Sequence, residues 1–358
     1  MAGRTSKLAL LVMISLLVLL LAPSTAAARV GPSSSNKPID ASRAQRLQLP
    51  NLVSGPESIA FDAHGKGPYV SVSDGRVLRW EDDGWKTFAY GPGYVENNCA
   101  ASSELPSVAR ESLCGRPLGL RFHRASGDLY IADAYAGLMR VGKDGGEATV
   151  LASGVNGVPF KFTNGLDVDQ VTGDVYFTDS SSRYSRTQNQ LVTRTGDATG
   201  RVLKYNARTK QVTVLMSGLA YPNGVTVSAD RTHLVVALTG PCKLLRYWLG
   251  GPEGGKYELF ADLPGYPDNV KPDGKGGYLV GLNMEKLELP FPFGPNKHMV
   301  GIRIGAQGEK VQEITGPKNM RLSEVVEKED GRIYLGSVES SYVESLELVH
   351  RYSFFLLM

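Results

Sequence analysis

Apolar and polar residues alternate in short runs along this chain, and the runs recur in a fixed order. At Phe162 to Tyr184, FTNGLDVDQVTGDVYFTDSSSRY, an apolar approach ends in Asn164-Gly165 and a short alternating strand carries Leu166 and Val168. A Thr172-Gly173-Asp174 turn then leads to a second strand with Val175, Tyr176 and Phe177. Period-two alternation bounded by Gly and Asp turns predicts a β-hairpin. The opening phrase occurs six times, as GPESIAFD (55–62), GRPLGLRF (115–122), TNGLDVD (163–169), PNGVTVS (222–228), PDNVKPD (267–273) and LSEVVEK (322–328). A turn and a second strand follow each copy, and five copies lead on to a third strand such as RVLRW or RVLKYN.

Counted from Glu57 through Pro117, Asn164, Asn223, Asn269 and Glu324, the spacings are 60, 47, 59, 46 and 55. Repeats of about 40 to 50 residues with about four strands each predict an all-β fold, a six-bladed β-propeller of four-stranded antiparallel blades. The longer spacings hold inserts: ASSELPSVARESL between blades one and two, SSSRYSRTQNQLVTRTGDAT in blade three and the Pro-rich LPFPFGPNKHM in blade five. Inserts of this composition belong to loops. Ahead of the first repeat, RLQLPNLV at 46–53 alternates and is expected to close blade six, whose third strand around Tyr342 to Leu348 is weak. Closure would remove the exposed sheet edges.

The chain ends add a compartment. Arg4 and Lys7 precede an apolar run from Leu8 to Ala22, and Ala26-Ala27-Ala28 offers small residues for cleavage. That pattern predicts a signal peptide over 1–28. The run is shorter than the roughly 20 residues a membrane span needs, so stable membrane insertion is not expected after cleavage. Residues 29–45 read as a free polar tail, 46–350 as the propeller and 351–358 as an atypical apolar C-terminus. The destination is the secretory pathway, either vacuole or cell exterior. Loss of Arg4 and Lys7 takes the net charge from +3 to +1, which argues against nucleic acid or an anionic membrane as the main partner; the expected partner is a small-molecule substrate. Oligomeric state is not legible. Cys99 and Cys114 flank the first insert and are candidates for a disulfide in an oxidising compartment, with free thiols as the alternative. Cys242 opens a strand and is expected to pack as a small apolar group.

In a propeller the innermost strand of every blade starts near the central axis, so distant residues converge there. At that station stand Glu57, Asn164, Asn223, Asp268 or Asn269, and Glu324, all bearing oxygen. Mixed carboxylate and amide oxygens suit Ca²⁺, and the lack of Cys or His argues against zinc or copper. One Pro-Asn-Gly alone would be an ordinary turn, since Asn and Gly tolerate positive φ. Glu324, between Leu322 and Val326, is expected to have its pKa raised by an apolar funnel toward the range of a general acid or base.

The runs GDVYFTDSSSRYSRTQNQ, TGRVLKYN, VLMSGLAYPNGVTVSAD, LLRYWLGGP and EKEDGRIYLGS make the chain, from about residue 50 to 343, resemble strictosidine synthase and its plant relatives, the strictosidine synthase-like proteins. The resemblance implies a six-bladed propeller and a Cys99–Cys114 disulfide. It places the synthase's catalytic glutamate on Glu324 and its insertion tyrosine on Tyr184. The synthase's pocket histidines fall on His298, loosely, and on Leu322; this makes them substrate-binding candidates and argues against strictosidine synthesis itself. Paraoxonase- and gluconolactonase-type hydrolases share the fold, and their axial Ca²⁺ set is matched by Glu57, Asn164, Asn223 and Asp268. Three functions are therefore expected in order: Ca²⁺-assisted ester or lactone hydrolysis, amine-aldehyde condensation through Glu324, and non-enzymatic binding of a small molecule.

Overall fold

Each repeat is too small to bury both faces of its own sheet, and a computed structural model shows how the six repeats cover one another. It describes residues 36–99, 108–286 and 297–348. The expected signal segment 1–28, tail residues 29–35, insert residues 100–107 and 287–296, and residues 349–358 with the expected apolar terminus lie outside the described residues. Six antiparallel sheets stand in a ring as a six-bladed propeller. The innermost strands are Ile59–Ala60, Pro117–Phe122, Thr163–Val168, Pro222–Val227, Gly265–Pro272 and Glu324–Glu327. The N-terminal strand Gln45–Gln48 pairs antiparallel with Tyr342–Glu347 and supplies the outer strand of blade six. Among the described residues no helix is long and apolar enough to cross a membrane.

The core lies between blades rather than within them. Phe88 and Tyr69 of blade one pack on Leu120 and Ile131 of blade two, and Leu279 and Val300 of blade five pack on Leu322 and Val325 of blade six. Blades six and one meet through Tyr334, Val343, Val70 and Leu78, so the ring closes on apolar contact as well as on hydrogen bonds. A sheet covered on both faces has no solvent side. The second strands Leu129–Asp133, Val175–Asp179 and His233–Leu238 are accordingly buried at every position, whereas outer strands such as Val212–Leu219 and Tyr257–Asp262 carry exposed positions.

Two local readings change. Residues 39–43 of the expected free tail are held: Ile39–Asp40 pairs parallel with the outer strand of blade five, Ile39 and Ala41 are buried, and Lys297 Nζ meets Asp40 at 2.6 Å. Average polarity concealed two apolar side chains with a groove to fill. Gly165 and Gly224, moreover, do not have positive φ. A Cβ on Gly165 would lie 2.6 Å from the carbonyl oxygen of Asn223, and one on Gly224 would lie 2.5 Å from the nitrogen of Val270. Glycine is there because neighbouring inner strands touch. Gly165→Ala is expected to destabilise by about 1–3 kcal/mol through overpacking, seen as a lower urea midpoint at unchanged slope.

Cys99 and Cys114 form a disulfide with a sequence separation of 15, and Cys242 is buried as a free thiol. Replacing both bonded cysteines by serine should cost about 3 kcal/mol on the loop-entropy estimate. A thermal midpoint unchanged from wild type would contradict that.

Candidate axial site

The inner strands of blades two to five each break register at their start, between Pro117 and Gly119, Thr163 and Leu166, Pro222 and Val225, and Pro267 and Val270. A bulge frees a residue from the ladder and re-aims its side chain. The residues freed include Asn164, Asn223, Asp268 and Asn269.

The orientation of two amides follows from their partners. Asn164 donates Nδ2 to Ser180 Oγ at 3.0 Å, and that hydroxyl uses its own proton on Pro222 O at 2.8 Å. Asn223 repeats the relay one blade on, with Nδ2 to Thr239 Oγ1 at 3.2 Å and Thr239 Oγ1 to Pro267 O at 2.7 Å. A hydroxyl whose proton is engaged can only accept, so each amide turns its oxygen the other way. Both Oδ1 atoms, and Glu57 Oε2, are buried with no hydrogen-bond partner among the described residues. Glu57 Oε1 accepts from Asn269 Nδ2 at 2.8 Å.

Burial, then the charges of Asp268 and Glu324, holds the Glu57 carboxyl well above the usual range. Burial likewise pushes Asp268 up to about 7, with the charge of Glu324 adding to it and Asn223, Asn283 and Arg186 opposing. Unmatched buried oxygens and two acids forced toward neutrality are the condition a hard cation relieves. Among the described residues no three His, Cys, Asp or Glu side chains are gathered for a metal. The set fits Ca²⁺ through its mixture of carboxylates with amides, and it does not fit zinc.

Glu324 is on the same axis but differently used. Its Oε1 accepts from Ile59 N at 2.7 Å, and its Oε2 accepts from Ser58 Oγ at 3.0 Å and meets Lys271 Nζ at 3.2 Å. Ser58 Oγ also accepts from Leu120 N, and Lys271 Nζ donates to Leu120 O at 3.3 Å. One carboxylate and one ammonium thus tie blades one, two, five and six together. Burial raises the Glu324 pKa, with Lys271 opposing most.

Tyr184 is half-buried in an apolar cluster with Leu118, Phe162, Val192 and Tyr221, and Arg183 lies over its ring at 5.0 Å. His298 is buried beside Glu285, Nδ1 to Oε2 3.4 Å, and its Nε2 has no partner among the described residues. Leu322 is 1% exposed in the core between blades five and six. The structure therefore sets Glu57, Asp268 and Glu324 near enough to raise one another's pKa, Asn223 beside Asp268, Asn164 one blade before Asn223, and Tyr184 in the apolar cluster with Tyr221, and it leaves His298 and Leu322 in blade-five and blade-six surroundings. A cavity of about 620 Å³ opens at the other end of the inner strands, beside Phe61, Phe122, Pro272 and Glu327, and meets the Glu324 tie at Ile59, Leu120 and Lys271.

Four residues escaped the sequence reading. Tyr221 has φ 53°, a left-handed conformation unusual for a bulky residue, and burial followed by the nearby charge of Asp268 raises its phenol pKa. Its only sequence signal is its place directly before Pro-Asn-Gly. Arg116 is fully buried, and burial then Arg186 lowers its pKa to about 10. Arg186 Nη1, from the blade-three insert, meets Glu111 of the disulfide loop at 2.7 and 2.9 Å. Lys271, in PDNVKPD, is the cation of the axial tie.

The sequence profile described as strictosidine synthase matches residues 164–252, and that of the strictosidine synthase-like N-terminal region matches 42–80. Protein strictosidine synthase-like 10 of Arabidopsis thaliana is 41% identical over 314 residues, 80% of this chain and 83% of the relative. Strictosidine synthase-like 3 of the same plant is 37% identical over 350 residues, 88% and 90% of the two chains. Among solved structures, a gluconolactonase from Xanthomonas campestris superposes with TM-score 0.61 at 17% identity, covering 89% of this chain and 99% of that one. The calcium-binding protein regucalcin from Agrobacterium tumefaciens does so with TM-score 0.58 at 15% identity, covering 87% and 95%. At such identities the likeness is one of fold. Inter-blade packing, closure by the N-terminal strand and the extent of the plant matches lead to one conclusion: the chain belongs to the strictosidine synthase-like family.

Proposed function

We propose that this is a secretory-pathway enzyme that hydrolyses an ester or lactone at the axial site with the assistance of Ca²⁺. The observation that carries the reading is the trio of buried, unpartnered oxygens, Glu57 Oε2, Asn164 Oδ1 and Asn223 Oδ1, contributed by three blades. Glu57, Asn164, Asn223 and Asp268, with Asn269 beside them, would hold the ion. The chemistry supplied by bound Ca²⁺ is polarisation of the substrate carbonyl. The chain's own residues do the rest: Asp268, pushed up to about 7 in the metal-free chain, would give up its proton on holding the ion. Leu118, Phe162, Tyr184 and Tyr221 form an apolar rim that limits water. Condensation through Glu324 has less support, because both of its oxygens are engaged.

The test is a panel of aryl esters and lactones assayed with Ca²⁺ and with EDTA. Turnover that EDTA abolishes and Ca²⁺ restores is expected; turnover indifferent to EDTA, or none from folded, Ca²⁺-loaded protein, would overturn the reading.

The same acids set a pH dependence. Asp268 rises from 3.8 to about 7 on folding, so between those values the native chain binds more protons than the unfolded one. Stability of the metal-free protein is then greatest below the unfolded pKa and falls as pH rises toward 7. Urea unfolding in EDTA should show a midpoint that declines from pH about 4.5 to about 7, and saturating Ca²⁺ should flatten it. A midpoint that rises with pH in EDTA would contradict this.

A further inference from the structure

Blade two gives the axial ring no oxygen, since Pro117 occupies its station. The residue before it is Arg116, the largest side chain that is fully buried, at 0% exposure. Its Nη1 donates to Gly55 O at 3.1 Å, while Nε and Nη2 have no partner. In a guanidinium the Nε–H and one Nη2–H leave along the same edge, parallel, and that edge matches the two oxygens of a carboxylate. A Cβ on Gly55 would meet Nη2 at 2.8 Å, so the guanidinium packs directly on the backbone of Gly55 and needs glycine there.

The acids that bear on Arg116 are Glu57, Glu111 and Asp133, and none of them accepts a hydrogen bond from its Nε or Nη2. Asp133 Oδ1 accepts from Tyr135 N and Ala136 N; Glu111 takes Arg186 and Tyr135; Glu57 Oε1 takes Asn269 and its Oε2 is unpartnered. Arg186 adds a second positive charge close enough to repel Arg116. Two guanidiniums held near one another, one with a free fork edge, make a place for an anion that the protein does not itself supply.

We propose that Arg116 is the specificity-determining residue of the axial site, its free edge receiving a carboxylate carried by the ligand. The substrate class narrows accordingly, to esters or lactones that carry, or release on cleavage, a carboxylate within reach of blade two. This rests on reading the axial cluster as a ligand site, but it requires neither Ca²⁺ nor turnover.

The test uses the full chain from an oxidising host, in EDTA, with benzoate, benzamide and inorganic phosphate as probes, followed by thermal unfolding and calorimetric titration. Benzoate should raise the unfolding midpoint, and benzamide and phosphate should not. Arg116→Gln should weaken benzoate by roughly ten- to a hundredfold, the range for loss of a charge-assisted pair, and Arg116→Lys should restore part of it. Equal responses to benzoate and benzamide, a response to phosphate as large as to benzoate, no response to benzoate, or unchanged affinity in Arg116→Gln would each overturn the proposal. If Arg116→Gln does not fold, the three-probe comparison on the unaltered chain still decides. Loss of the Ca²⁺ response with benzoate selectivity intact would sink the calcium reading alone.

Discussion

Glu57→Gln is expected to move two properties in opposite directions: the metal-free protein becomes more stable, and its dependence on Ca²⁺ disappears. The carboxylate is 1% exposed, has one partner for Oε1 and none for Oε2, and shares its surroundings with Asp268 and Glu324. Taking one acid out of that group of three removes a carboxyl whose ionisation is opposed by burial and by both acidic neighbours and only partly offset by Arg116 and Lys271, so the EDTA-treated variant should unfold at a higher temperature than wild type. The same change removes one of two carboxylates from the donor set. Ca²⁺ affinity, which follows ligand charge, should fall by roughly a hundredfold or more, and Ca²⁺-dependent hydrolysis with it. A purely structural Glu57 would give the reverse, a destabilised variant with calcium behaviour intact. Residues that stabilise when neutralised and disable when neutralised are the mark of a site held together for function.

Glu324→Ala should be the most destabilising single change at the axis. It leaves Ser58, Ile59 N and Lys271 without their acceptor, and the ammonium of Lys271 stays buried with only Leu120 O to meet it. Removing one partner of a buried pair costs about 3–5 kcal/mol, enough to consume a large part of a typical domain's stability. Glu324→Gln keeps an acceptor oxygen and should lose less. The two variants also separate roles. If Glu324 is the axial tie, Glu324→Gln keeps most hydrolysis while Glu324→Ala unfolds early; if it moves protons, Glu324→Gln folds normally and is inactive.

The propeller was legible because six copies of one phrase are hard to produce by chance, and because the spacing puts Glu57, Asn164, Asn223 and Asp268 at one station. The reason for Asn-Gly was not. In sequence it signals a turn; in the ring, glycine admits the next strand's backbone and the preceding bulge turns the asparagine inward. Arg116 and Lys271 gave no local signal, since a lone basic residue beside a proline has no pattern, and their meaning depends on which blades meet across the axis. Ile39 was hidden by the polarity of its neighbours. Glu324 was found for its burial, but its hydrogen-bond partners, Ser58 and Ile59, lie on the blade at the other end of the chain.

Thermal unfolding of the purified chain during a Ca²⁺ titration from EDTA-treated protein tests the axial site most directly, because a ligand of the native state alone raises stability as RT ln(1 + [L]/Kd). The account predicts a midpoint that climbs with the logarithm of Ca²⁺ concentration in wild type and stays flat in Glu57→Gln. A wild-type midpoint indifferent to Ca²⁺ from micromolar to millimolar, or an equal climb in both proteins, would contradict it.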